Sequence, residues 1–391
     1  MTINNHGKDF VNIWILYLKK KVGGGAHCCH ELASALEGEK SASVTTYCLS
    51  ETEFKDWLTG KGLRTKSLVA VPNISYRGFK SLAVLSRRFR EELRVNPPDV
   101  VVIPMTSILH IPAIWQIKKS YAKIISLVHE VDYRKGNTNF MGRILRKPRD
   151  FELRFSDLHV ALSRFTYSAL ISKKIGVSAD YIVHPVFLSQ KRKKSIESRN
   201  KKRRRILFFG RPTKPKGVWR LLDAFMHLTS REHLDLDLEL ELCLGLDDYR
   251  EVEGLRGVRV CRGYIDEISL LEKIVDADAV ALPYDHASQS GVAALALGVG
   301  CPCVVTPVGG LPEQILDGFN GFVAKDLTPK AFADALAMCF EDDERYLTLL
   351  RNISEDNLCR LSWSPLAKHI LEIGGNRRSL SHKRPRIMEK V

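Results

Sequence analysis

A chain of 391 residues carries 45% apolar residues, 27% charged residues and a formal net charge of +15. That length is long for one hydrophobic core and suits two α/β domains, while the apolar content excludes global disorder. No run of about 18 apolar residues occurs, so the sequence excludes a membrane-spanning helix.

The positive charge is segregated. Residues 190–205 hold ten Lys or Arg against Glu197 alone, and residues 376–391 hold six against Glu389. These two tracts carry nearly all of the excess, and neither interleaves aromatic residues with its cations, which argues against nucleic acid as a partner. The first tract reads equally as a solvated linker or as a contact with an anionic membrane surface. The second reads as a disordered tail. Nine cysteines, set mostly within apolar segments, read as small buried hydrophobes of a reducing cytoplasm.

In chain order, the hydrophobic stretch 10–18 is followed at once by Lys19, Lys20 and Lys21. It lacks a basic leader and a small-residue cleavage site, so it predicts a first buried strand rather than a signal peptide. Gly23, Gly24 and Gly25 come next, then a helix over 27–36. Three glycines after a first strand let backbone approach a ligand closely, although the run is not G-x-G-x-x-G. His27 and His30 share a helix face, but no second cluster completes a metal site, so they are read as helix-start residues. Further strands are predicted at 43–49, 99–104, 122–128 and 158–162. Strands alternating with helical patterns specify a parallel, doubly wound sheet. His129 follows the 122–128 strand directly, at the end where such sheets bind ligands. It reads either as a ligand contact or as a satisfied structural histidine, with Glu130 and Asp132 as alternative polar contacts. Ser163 reads as a helix cap.

After the basic tract the pattern restarts at Ile206. A strand over 206–209 ends at Gly210, and Arg211 and Lys216 follow on a turn held by Pro212, Pro215 and Gly217. Two cations on a rigid turn just past a strand suit a diphosphate, because Arg binds oxygens bidentately and Lys supplies a point charge. An ordinary βα turn with solvated charges is the alternative. Val218, Leu221, Leu222, Phe225 and Leu228 then mark an amphipathic helix. Strands at 236–244, 258–261, 279–282 and 303–306 complete a second sheet. Before the last of these lies Ser288-Gln289-Ser290-Gly291, a loop of small residues opening a small-residue helix. Exposed first-turn amides and the helix dipole make such a loop a natural anion site. The final strand leads into a Gly309-Gly310 turn ending in Glu313.

The Gly210-Arg211 to Lys216-Gly217 turn, and the stretch from Gly300-Cys-Pro302 to Glu313, resemble the signatures of retaining GT-B glycosyltransferases of family 4 (glycosyl transferases group 1). The resemblance spans nearly the whole chain and is weaker in its N-terminal half. It implies an α/β architecture of two Rossmann-like domains with parallel sheets facing an interdomain cleft. Residues 1–186 would form the acceptor-side domain, 187–205 a basic linker and 206–362 the nucleotide-sugar-binding domain. Residues 363–375 would cross back to the first domain, an approach that Leu361-Ser-Trp-Ser-Pro365 resembles, leaving 376–391 as a tail. The resemblance gives catalytic roles to Arg211, Lys216 and His129. It gives donor binding to Gly24, Gly25, Gly210, Ser288, Gln289, Ser290, Gly291 and Glu313.

The implied substrate is a UDP- or GDP-sugar, with no cofactor and no metal because cations replace Mg²⁺, although Asp247 and Asp248 keep a metal in play. The implied acceptor is a lipid-linked or other saccharide of a surface polysaccharide, met on the cytoplasmic side of the membrane. No protein nucleophile is evident, and the leaving diphosphate would take the acceptor's proton. One departure stands out. Many members carry paired glutamates where this chain has Ala287 and Leu295, with Asp285 or Gln289 near the first position. That leaves open a degenerate GT-B protein that binds a nucleotide or partner without transfer, or a GT-B epimerase.

Overall fold

Strand β1 (Val11–Tyr17) is buried from Ile13 onward on both faces, as a nearly continuous apolar run in a parallel sheet must be. The computed structural model describes residues 10–19, 22–50, 52–60, 65–68, 76–131, 149–173, 178–187, 205–210, 213–230, 238–244, 252, 254–263 and 265–375. Arg211, Asp132, Asp247, Asp248, most of the basic tract and the tail from 376 lie outside these residues.

After β1 come α1 (Gly24–Glu37), β2 (Ala42–Leu49), α2 (Glu53–Gly60), β3 (Thr65–Leu68) and α3 (Tyr76–Val95). Then follow β4 (Val100–Ile103), α4 (His110–Ile117), β5 (Lys123–Val128), β6 (Leu158–Ala161), α5 (Arg164–Ser172) and β7 (Ala179–Tyr181). The seven strands pair in parallel in the order β3-β2-β1-β4-β5-β6-β7. Ser163 caps α5 as the sequence predicts, its hydroxyl accepting from the Thr166 amide at 3.1 Å. Helix α1 begins earlier than predicted, so Gly24 and Gly25 form its first turn rather than a preceding loop.

The second run contains β8 (Arg205–Gly210), a 3₁₀ turn (Lys214–Lys216), α6 (Val218–Thr229), β9 (Glu239–Leu244), β10 (Val258–Arg262) and α7 (Glu267–Asp276). It continues with β11 (Ala279–Leu282), α8 (Gly291–Val299), β12 (Cys303–Val305), α9 (Leu311–Gln314), β13 (Gly321–Val323), α10 (Pro329–Ala337) and α11 (Asp343–Leu358). Its sheet, again all parallel, has the order β10-β9-β8-β11-β12-β13. Val218, Leu221, Leu222, Phe225 and Leu228 are all buried, so the predicted stripe of α6 is the face that covers this sheet.

The chain divides into two units, one running to Ile182 and resuming at Trp363, the other spanning Val183–Ser362. The last helix, α12 (Ser364–Gly375), therefore belongs with the first unit. There His369 Nε2 lies 3.1 Å from Asp180 Oδ2, and a Cβ at Gly374 would collide with Val11 and Val100. Seven of the nine cysteines are buried, as the sequence suggests, while Cys261 is half-buried and Cys359 exposed. Among the described residues no helix is long and apolar enough to cross a membrane.

Candidate functional site

In both sheets the first strand of the unit lies between its second and fourth, so consecutive connections leave on opposite sides. Doubly wound sheets bind ligands outside the carboxyl ends of the two strands at such a reversal. In the second unit those strands are β8 and β11. Their trailing loops carry Gly210, Lys216, Ser288, Gln289, Ser290 and Gly291.

These two loops are fastened together. Gly217 ends the 3₁₀ turn at φ 66°, and a Cβ there would overlap the Pro283 carbonyl oxygen. The Asp285 amide donates to Pro215 O at 2.9 Å. Arg220, in the first turn of α6, donates to Pro283 O (2.8 Å) and Leu327 O (2.6 Å) and pairs with the Asp285 carboxylate at 2.6 Å. Lys216 Nζ sits 3.6 Å from the centre of the Tyr284 ring, which is fully buried and serves as a floor beneath the ammonium. A lysine on a glycine-rich turn is thereby given a fixed position.

The opposite end of the same loop forms the start of α8. Ser290 caps the helix, its hydroxyl accepting from the Ala293 amide at 3.2 Å and its carbonyl from the Ala294 amide at 3.0 Å. The resemblance gives Ser290 a part in donor binding; its N–H donates to Gln314 Oε1 at 2.7 Å. The amides that open the helix are therefore those of Gly291 and Val292. From the β12 side, the Gly310 amide donates to Ala287 O at 3.1 Å, and a Cβ at Gly309 (φ 56°) would overlap that same oxygen. Glu313 is half-buried in α9, with its carbonyl accepting from Arg360 Nη1 at 2.6 Å. Ala287 is buried and Leu295 half-buried, so neither position offers a carboxylate. Gly210 closes β8 at φ 125°, with no atom of the described residues near where a Cβ would stand.

In the first unit the corresponding reversal lies between β1 and β4. Gly25 is pressed against Met105, whose Cε would lie 2.7 Å from a Cβ, whereas no atom of the described residues lies within 4 Å of a Cβ at Gly24. His129 follows β5, and its Nε2 lies 2.8 Å from Pro104 O, so Nε2 carries the proton and donates. Burial of the ring pushes its pKa down to about 4, with nearby Lys19 adding to the effect, so the imidazole is neutral at pH 7.

Sequence reasoning missed the group beneath it. Glu152, 1% exposed, accepts from Ser126 Oγ (2.6 Å) and Thr106 Oγ1 (3.1 Å) and lies 3.2 Å from His110 Nδ1. Ser107 Oγ donates to Leu18 O at 2.9 Å, so this buried set ties together the ends of β1, β4 and β5.

In the second unit, Glu241, Cys243 and Cys261 bring ligand atoms within 4.8 Å of one another. Lys273 Nζ already neutralises Glu241 at 2.5 Å, and burial pushes the Cys243 thiol up to about 12, so both charge and protonation favour a packed ion pair.

Residues 203–342 match the family model of glycosyl transferases group 1. A D-inositol 3-phosphate glycosyltransferase of Corynebacterium urealyticum is 30% identical over 178 residues, 42% of this chain and 41% of that protein. The match thus spans about two fifths of the length of such curated relatives. A glycosyltransferase from Rickettsia africae superposes with a TM-score of 0.68 at 14% identity, covering 94% of this chain and 98% of that one. Anabaena HepE, solved in complex with UDP-glucose, superposes with a TM-score of 0.65 at 17% identity, covering 92% and 98%. Residues 203–342 are thus similar to glycosyl transferases group 1, and the chain has the GT-B fold.

Proposed function

We propose that the protein is a retaining glycosyltransferase that moves a sugar from UDP or GDP to a saccharide hydroxyl. The observation that carries this reading is the pairing, at the β8–β11 reversal, of a positioned Lys216 with the open N-terminus of α8. The Gly291 and Val292 amides, the helix dipole and Lys216 would bind the diphosphate and stabilise the charge that grows on it as the glycosidic bond breaks. Arg211 would add a bidentate contact. With positive charge supplied in this way, no metal ion is required. The departing phosphate oxygen would accept the acceptor's proton, so no protein base is needed. In the first unit, Gly24 would offer close backbone approach, and neutral His129 would serve as a hydrogen-bonding group for sugar hydroxyls.

The acceptor in this reading is a lipid-linked saccharide of a surface polysaccharide, with residues 190–205 holding the enzyme at the cytoplasmic face of an anionic membrane. Calorimetric titration with UDP and GDP tests the donor site. Lys216→Ala is expected to weaken the bound nucleotide about 10- to 100-fold, the loss of one charge-assisted contact. Equal affinity in the variant would refute the assignment. Ala287 and Leu295 favour a second reading, a protein that binds nucleotide without transfer. Labelled-sugar transfer or donor hydrolysis separates the two.

A further inference from the structure

The amide of Gln314 pairs with the main chain of Ser290 in both directions. Oε1 accepts the Ser290 N–H at 2.7 Å, and Nε2 donates to the Ser290 carbonyl at 3.2 Å. Only one orientation of the side-chain amide satisfies both partners. Gln314 is 1% exposed and Ser290 3% exposed, so the pairing is sheltered from water and each bond is costly to lose. Ser290 is the residue whose backbone angles (φ −133°, ψ 114°) aim the next two amides of α8.

Gln314 is itself held from behind. Its carbonyl accepts from Asn320 Nδ2 at 3.0 Å and from Arg360 Nη2 at 3.2 Å, while Arg360 Nη1 takes the Glu313 carbonyl at 2.6 Å. These are carbonyls at the end of the short helix α9, which has no further turn to satisfy them. The Arg360 fork is fixed in turn by Asp356, with Nε at 2.8 Å and Nη2 at 2.5 Å from its two oxygens. Asn320 Nδ2 also reaches Asp356 Oδ2, at 2.9 Å. A buried carboxylate with three donors is stable where a lone one is not.

We infer that Gln314, locked by Asn320, Asp356 and Arg360, is a positioning residue that aims the Gly291 and Val292 amides at the donor's diphosphate. This rests on the reading of α8 as the diphosphate site. Gln314 touches no reacting atom. It acts by taking the Ser290 amide out of play and fixing the residue that precedes the binding amides. An apolar side chain there would fill the space and leave Ser290 held only by its bonds from the Ala293 and Ala294 amides.

The test is Gln314→Met, which keeps length and removes both bonds. Hydrogen exchange at the Ser290 amide reports the bracket without any ligand. Calorimetry with UDP and with uridine separates the phosphate contribution from that of the nucleoside. Faster Ser290 exchange, with UDP weakened about tenfold and uridine unchanged, is the expected result, of the size that one or two buried hydrogen bonds allow. Unchanged exchange overturns the inference, as does equal weakening of UDP and uridine, since a merely structural role would affect both alike. Wild-type protein that binds neither UDP nor GDP defeats the donor reading, and the diphosphate role with it, while Ser290 exchange still decides the bracket. If Gln314→Met does not fold, Arg360→Lys keeps the charge beside Asp356 and loses the fork, and should shift the same two readouts by a smaller factor.

Discussion

Gly217 and Gly318 form a matched pair for testing how the cationic turn is held. Their φ angles are 66° and 71°, so alanine meets the same left-handed strain at either site, about 1–2 kcal/mol. Around Gly318 no atom of the described residues lies within 4 Å of the position a Cβ would take, whereas at Gly217 that Cβ would overlap the Pro283 carbonyl oxygen. Backbone does not yield as a flexible side chain does, so Gly217→Ala carries an added overpacking cost of about 1–3 kcal/mol. Relief of that clash must separate the 213–217 turn from 283–285, stretching the Asp285–Pro215 hydrogen bond and moving Lys216 off Tyr284. The assay is urea unfolding of both variants alongside UDP titration. Gly217→Ala should lose about 1–3 kcal/mol more than Gly318→Ala and should alone weaken nucleotide binding. Equal destabilisation, or full nucleotide affinity in Gly217→Ala, would refute the view that the close approach of these two loops builds the site.

Two further outcomes are expected. Tyr284→Leu removes the aromatic floor beneath Lys216, a contact worth about 0.5–2 kcal/mol, so nucleotide affinity should fall by up to about 30-fold while Tyr284→Phe stays near wild type in titration calorimetry. The second outcome concerns pH. The His129 pKa of about 4 in the folded chain lies below the ordinary histidine value of 6.5, so between these values the unfolded chain binds the extra proton. No cost arises above about pH 6.5, and stability falls as pH drops toward 4, by up to about 3 kcal/mol. His129→Gln, which keeps a donor for the Pro104 carbonyl, should flatten that part of a stability-against-pH curve measured in urea.

Much of the fold is legible in the sequence because it is written locally. The run Ile13–Leu16, the α6 stripe from Val218 to Leu228 and the Ser163 cap each act within a few residues of themselves. Strands β3, β7 and β13 escape notice because they are only 4, 3 and 3 residues long and sit toward the sheet edges, too short to show a period. The start of α1 escapes because Gly23 offers no side-chain cap and glycines are poor helix formers. In the site, motif spacing marks the Lys216 turn and the 288–291 loop. The residues that fix them act across the chain and leave no local pattern. Arg220 reaches Pro283 and Leu327, and Gln314 reaches Ser290. One signal for Arg220 was present: a cation in the first turn of a helix opposes the dipole unless a carboxylate holds it, and Asp285 does.

The β11–α8 loop is braced at both ends, by Arg220 on Pro283 and Asp285 and by Gln314 on Ser290. A charge-stabilising site is most effective when its dipoles are oriented before the charge appears, because no reorganisation is then needed during the reaction. In the proposed reading, the two braces supply that orientation. On the same reading, this accounts physically for how the donor site can function with Ala287 and Leu295 in place of the paired glutamates that the sequence resemblance leads one to expect. In the proposed reading, recognition rests on the diphosphate, held by Lys216 and the amides of Gly291 and Val292, more than on the ribose. Discrimination should accordingly be strong between nucleoside diphosphate and nucleoside and weak between ribose and 2′-deoxyribose forms of one nucleotide. A carboxylate-based ribose contact would reverse that order, since a buried acceptor left without its hydroxyl is penalised heavily.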